Sequence, residues 1–412
     1  MLQNLRWAVS VMIMTGLANP VSADVITDWN ENAVAFVTAR KMLPPQAERL
    51  VASVHVAMFD AVNSIDRRYQ PYRVQLPAAK DTSKDAAAAA AAAGVIAALH
   101  PDAADSMKTA LTAYLAGKPS GIGKDDGIKL GEAVAAKIAA ERANDGANAP
   151  DAYRPKTRPG VYVPTPITAS SMWPNVKPFV LTSPAQFRPQ PPIPLKGEEW
   201  AADYNEIKAL GGNTSTKRSA RQSEDGRFWL MTGPMSYYPI VRQVVVAKKM
   251  DVIDSARFMA LASAAVADSF IAVFDAKYHY DFWRPITAIR NGDIDDNPAT
   301  ELDAVWQPID NTPMHPEYPC AHCISSAAIA AAMEAVLGSA DIPEVTLTST
   351  TAPGVTHRWT NLWAYADEVS MARIWAGFHY RFSTRVGQDM GRKIGRYAVD
   401  TVMKPAAVAE VR

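Results

Sequence analysis

The chain has 412 residues, with 42 Lys and Arg against 42 Asp and Glu and 48% hydrophobic residues. That balance belongs to a folded globular protein, and the lack of a basic surplus argues against a nucleic-acid binder, which must displace counterions from phosphates. With only Cys320 and Cys323 available, no disulfide framework staples the fold.

Residues 1–23 read as a secretory signal peptide. Arg6 gives a positive start, Trp7 to Ala18 is an apolar run too short to span a bilayer, and Val21-Ser22-Ala23 puts small residues at the cleavage site. Removing them takes away Arg6 and no acid, leaving 41 positive and 42 negative groups, a net of −1. The mature protein is expected to be exported, periplasmic or secreted. No stable membrane span is expected, because no later stretch reaches roughly 18 uninterrupted apolar residues.

Helical periodicity dominates the mature chain. Pro45 to Asn63 carries an apolar stripe at three- and four-residue spacings, and Ala86 to Leu99 is an alanine-rich run stopped by His100-Pro101. Ala103 to Leu115 and Ile128 to Arg142 repeat the pattern, so 24–149 reads as an N-terminal helical bundle. Between Pro150 and Pro194 lie 12 prolines in 45 residues, too many for a helix or a central strand. The interleaved Tyr153, Tyr162, Trp173 and Phe187 favour a strap packed on a surface over a free linker, and 150–197 is read so. Helices resume at Trp200 to Leu210, Ile240 to Asp251, Asp254 to Lys277, Ser325 to Leu337, Leu362 to His379 and Val386 to Met403. Residues 198–404 thus form a C-terminal helical bundle with a tail at 405–412. No alternating run predicts a sheet. The fold class is all-α, two bundles joined by the strap.

Three segments of the second bundle concentrate unusual residues. In Lys277-Tyr278-His279-Tyr280-Asp281-Phe282-Trp283-Arg284-Pro285, a seven-residue helical spacing puts Lys277 and Arg284 nearly on one face, about 10.5 Å apart along the axis. Their side chains can converge on an anion, with Pro285 placing the pair near a helix end. In His315-Pro316-Glu317-Tyr318-Pro319-Cys320-Ala321-His322-Cys323, free backbone N–H groups at the start of a helix make an oxyanion seat beside His322. In the third, Arg373 and His379 do not share a face of a straight helix, so either Gly377 loosens the turn or a ligand is gripped from two directions.

Together these segments resemble the signature of the vanadium-dependent haloperoxidases and the related type 2 phosphatidic acid phosphatases. That signature is Lys, six residues, Arg-Pro; then Pro-Ser-Gly-His; then Ser-Arg, five residues, His. It is matched at Lys277, Arg284 and Pro285, at Pro319 and His322, and at Arg373 and His379. The resemblance implies paired helical bundles and vanadate as cofactor. His379 becomes the axial vanadium ligand, or the nucleophile toward phosphate, with His322 as the opposing acid-base group. Vanadate or phosphate would be held by Lys277, Arg284, Arg373 and the Ala321 N–H, with Cys320 in place of the family serine and Ala321 of the glycine. Ala372 replaces the serine before Arg373. Ser383 stands where the family has Asp, so a partner for His379 is missing or supplied elsewhere. His315 lies seven residues before His322, as in relatives that oxidise bromide, whereas chloride oxidisers carry an aromatic there; bromide or iodide is favoured.

The expected partners are hydrogen peroxide and halide, or a phosphate ester, with a homo-oligomer left open. The alternatives are an acid phosphatase working through a phosphohistidine and a non-catalytic oxyanion-binding protein. Cys320 and Cys323 have dithiol spacing, open to a redox pair, a disulfide, or a zinc site with His315 and His322. His55, His100, His279 and His357 have no comparable company in sequence and read as core or surface residues. Intact-mass analysis of the exported protein is expected to place the mature N-terminus at Asp24; a chain retaining Met1 to Ala23 would remove that reading.

Overall fold

The computed structural model describes residues 24–164 and 167–406, so the proposed signal lies outside the described residues. Helix α1 (Val25–Ala39) begins at Asp24, whose carboxylate accepts from the Ile26 and Thr27 amides in a capping box. After it come α2 (Pro44–Asp66), α3 (Lys84–Leu99), α4 (Ala104–Ala116) and α5 (Ile122–Ala143). The second half contributes α6 (Glu198–Gly211), α7 (Ala220–Phe228), α8 (Tyr238–Ala247), α9 (Val252–Tyr280) and α10 (Pro285–Arg290). The last helices are α11 (Ala321–Leu337), α12 (Leu362–Trp375) and α13 (Arg381–Thr401). Helices α1, α7 and α10 fall outside the periodicity read from sequence; α7 is short and polar, and α10 is a single six-residue piece.

The two halves share one continuous core, which runs from Val25 to Met403. Helix α2 packs along α9, α3 along α5, and α11 against α9, α12 and α13. Helix α9 is long and apolar enough to cross a membrane, with a mean hydropathy of 1.6 over 18 residues, yet that window is wholly buried inside the protein. Its burial is an outcome of the bundle, since helices from both halves cover it. The proline-rich segment is pinned to α9 by the buried Asp268, whose carboxylate accepts from the Phe179, Val180 and Leu181 amides at 2.7–2.8 Å.

A β-hairpin departs from the purely helical expectation: β1 (Asp341–Ser349) pairs antiparallel with β2 (Ala352–Asn361). Two features hide it in the sequence. The register shifts between Asp341 and Val345, breaking the alternation, and Thr350-Thr351 lacks the glycine or asparagine of a two-residue hairpin turn.

Backbone contact fixes the helix that carries the site. Gly387, Gly391 and Gly395 face α11 every fourth residue along α13, and a Cβ on Gly391 would lie 2.3 Å from the Ile324 carbonyl oxygen. Such an approach admits no side chain. Gly391→Val is therefore expected to cost about 3 kcal/mol in urea unfolding, whereas a variant of unchanged stability would mean that α11 and α13 are not held this closely.

Candidate functional site

Lys277 lies in the last turn of α9, which ends at Tyr280 with Asp281 in the left-handed region at φ 54°. The chain then turns, so Arg284 is not on the same helix as Lys277 but is the N-cap residue of α10. The two cations converge because of this turn and not through a shared helical face. Arg373 sits in the last turn of α12, where Gly377 at φ 81° allows the Phe378 amide to reach the Arg373 carbonyl and the Gly377 amide that of Ile374. This is a Schellman closure, and it swings His379 back toward Arg373. Cys320 is the N-cap of α11, with the Ala321 and His322 amides at the helix head. Ala321, His322, His315, Arg373 and His379 line a cavity of about 220 Å³, together with Phe270, Phe274 and Phe378.

Each cation is oriented by main-chain oxygen. Lys277 Nζ donates to the Pro316 and Glu317 carbonyls at 2.9 and 2.7 Å. Arg284 donates through Nε to the His315 carbonyl at 2.8 Å, through Nη1 to that of Phe378 at 3.1 Å and through Nη2 to His315 Nδ1 at 2.9 Å. Arg373 Nη1 donates to the Trp229 carbonyl, while its buried Nε has no hydrogen-bond partner. All three side chains are almost wholly buried. Burial, then the neighbouring cations, holds Lys277 well below the ordinary lysine range and brings Arg373 down to about 9; burial brings Arg284 down to about 10.

The histidines are neutral. Burial and the adjacent arginines hold His379, His322 and His315 well below the usual imidazole range. His379 Nδ1 donates to Glu317 Oε1 at 2.7 Å, which leaves Nε2 as the basic nitrogen, 3.4 Å from Arg284 Nη1. His322 Nε2 donates to the Met231 carbonyl at 3.1 Å, leaving Nδ1 to accept a proton. Glu317 also accepts from the Tyr380 amide, and burial pushes its carboxyl up to about 7 against the opposing pull of Lys277 and Arg284.

Two expectations change. Cys320 and Cys323 form a disulfide, so Cys320 has no S–H to offer an oxyanion, and its sulfur instead accepts from the Cys323 amide. The bridge also removes both thiolates from any zinc site with His315 and His322. Ser383 does not partner His379: Glu317 takes that place, with the buried Ser383 hydroxyl behind it favouring the ionised carboxyl. Sequence reasoning misses Glu317 although it lies inside the second motif segment, two residues after His315. Trp229 and Met231 act through carbonyl oxygens, which no sequence pattern marks.

Three buried cations face one carboxyl, and Arg373 Nε lacks a partner. The donor set fits a multiply charged oxoanion, which would satisfy these groups together. These features define a class, the all-helical proteins with a buried oxyanion site. Residues 257–407 match the family model described as the VCPO second helical-bundle domain. Vanadium chloroperoxidase of Curvularia inaequalis is 29% identical over 181 residues, covering 36% of this chain and 29% of that relative's length. Among solved structures, a bacterial vanadium-dependent iodoperoxidase superposes with a TM-score of 0.78 at 23% identity, covering 94% of this chain and 99% of that one. The apo form of a bacterial vanadium-dependent chloroperoxidase gives 0.69 at 17% identity over 87% of this chain and 93% of that one. Residues 257–407 thus resemble the VCPO second helical-bundle domain, and the chain shares the overall fold of the solved vanadium-dependent haloperoxidases.

Because Glu317 supplies both the tautomer and the charge behind His379, Glu317→Gln is expected to weaken orthovanadate binding by about 10- to 100-fold with the fold intact. Calorimetric titration checks this, and unchanged affinity would make Glu317 incidental to the site.

Proposed function

We propose that the protein is a vanadate-dependent peroxidase that oxidises a halide, bromide or iodide in preference to chloride, with hydrogen peroxide. The balanced reaction is H2O2 + X− + H+ → HOX + H2O. The observation that carries this reading is the buried triad of Lys277, Arg284 and Arg373, whose charge acts on His379 and whose Arg284 Nη1 lies 3.4 Å from its Nε2. Bound vanadate would supply Lewis-acid activation of the peroxide O–O bond without changing its own oxidation state.

The chain's own residues supply the rest. His379 would hold the vanadate through Nε2, the nitrogen left basic by Nδ1–H donation to Glu317. Lys277, Arg284, Arg373 and the Ala321 amide at the head of α11 would offset the negative charge of the bound oxoanion. His322, with Nε2 engaged by the Met231 carbonyl, would take up and give back a proton at Nδ1. Phe270, Phe274 and Phe378 give the cavity apolar lining that would restrict water, with His315 packed edge-on to Phe274. Residues 1–23 would direct export, consistent with a disulfide that persists in an oxidising compartment.

The same unprotonated Nε2 favours a second reading, an acid phosphatase in which His379 attacks phosphorus and His322 protonates the leaving oxygen. Assays with and without orthovanadate separate the two. Vanadate-dependent bromide or iodide oxidation is expected, falling by more than about 100-fold in His379→Ala, beyond the loss of an outer partner. Phosphate-ester hydrolysis that vanadate inhibits would instead establish the phosphatase, and phosphate binding without either activity would leave a non-catalytic binder.

A further inference from the structure

A second polar cluster lies outside the cavity, between α7 and the hairpin. His357 is buried, in keeping with the core role read from sequence, but it has polar neighbours that the sequence does not show. Glu224 and Asp225 of α7 and His357 of β2 bring three ligand-type atoms within 4.8 Å of one another. His357 is 2% exposed and its Nε2 has no hydrogen-bond partner. That nitrogen faces Asp225 Oδ1 at 3.5 Å and Glu224 Oε1 at 3.8 Å.

We propose that Glu224, Asp225 and His357 bind a zinc ion that clips α7 to the β-hairpin. The separations decide between a metal and a simple polar contact. Both exceed the N–H···O range, whereas two ligands of a tetrahedral zinc, each about 2.0–2.2 Å from the metal, stand about 3.4 Å apart. The other ring nitrogen is arranged as in ligating histidines: Nδ1 donates to Glu368 Oε1 at 2.5 Å, which turns the Nε2 lone pair toward the two carboxylates. Glu368 is itself held by Trp229 Nε1 and Trp359 Nε1 at 3.0 and 3.1 Å, so it orients the histidine and is not a fourth ligand. Phe228 stacks on the imidazole with centroids 3.8 Å apart, fixing the ring plane. One coordination position is left for water, since the Glu224 side chain is 40% exposed and opens the cluster to solvent.

Arg221 bridges the two carboxylates, with Nε 2.8 Å from Asp225 Oδ1 and Nη1 3.0 Å from Glu224 Oε1. Its side chain is 59% exposed, so it can swing into solvent at little cost when a divalent ion takes over the neutralisation. The clip also bears on the cavity, because Trp229 directly follows α7 and its carbonyl holds Arg373.

The test is zinc content and thermal stability of the full chain, stripped with a chelator and then dialysed against zinc chloride at micromolar free zinc. One zinc per chain and a rise in Tm are expected. Both should be lost in Glu224→Ala, a half-exposed position that tolerates truncation, and in His357→Gln. Arg221→Ala is expected to bind zinc more tightly, because the competing cation is gone; a cluster that is only an ion-pair network would lose stability and gain no metal. Wild-type protein that retains no zinc, variants that retain as much as wild type, or a preference for manganese chloride over zinc chloride would each overturn the proposal.

Discussion

Three cationic side chains buried together, of which Arg373 lines the small cavity, are the constraint on which the rest of the site depends. Removing a cation from water carries a penalty of several kcal/mol unless it is paired and fully hydrogen-bonded. Here most of the compensation comes from carbonyl oxygens of His315, Pro316, Glu317, Phe378 and Trp229, which orient the donors but carry no net charge. Glu317 is the buried carboxyl against these cations, engaged with His379, while Asp310 at the cavity lining is exposed. The cavity therefore stays positive, and an oxoanion with several charges and many acceptor positions meets its requirements better than a halide or a single carboxylate would.

The scaffold holds this arrangement by backbone contact more than by side-chain packing. The glycine face of α13 sets α11 against it at main-chain distance, so the head of α11 cannot drift. The turn at Gly377, itself packed on the Gly211 carbonyl, returns His379 to the end of α12. The segment after α7 supplies the carbonyls that orient Arg373 and His322. Hydrogen bonds engage opposite nitrogens of the two cavity histidines, Nδ1 of His379 with Glu317 and Nε2 of His322 with Met231. A ligand and a proton carrier can thus be told apart in one neutral pair.

Much of this is legible in the sequence. The long helices are written in apolar periodicity and in stops such as His100-Pro101, and the motif spacing brings Lys277, Arg284, His322, Arg373 and His379 to one place. What periodicity misses is what departs from regular geometry. The α9 helix stops before Arg284, so convergence on a helical face is the wrong route to a correct pairing. The hairpin is hidden because a register shift breaks its alternation. Glu317 escapes the motif because the family pattern points to the position of Ser383 for a partner to His379, whereas the fold delivers a carboxylate from the loop before α11. His357 looks isolated in sequence because its neighbours lie more than a hundred residues upstream in Glu224 and Asp225 and eleven downstream in Glu368.

The central claim is that an oxoanion docks at His379 Nε2 within the ring of Lys277, Arg284 and Arg373. Diffraction from crystals soaked in orthovanadate, with anomalous scattering to locate vanadium, tests this most directly. Vanadium about 2.0–2.2 Å from His379 Nε2, the range of metal–imidazole bonds, with its oxygens among the three cations, is the predicted result. Vanadium bonded to His322 or His315 instead, or no ordered vanadium in the cavity, would contradict it.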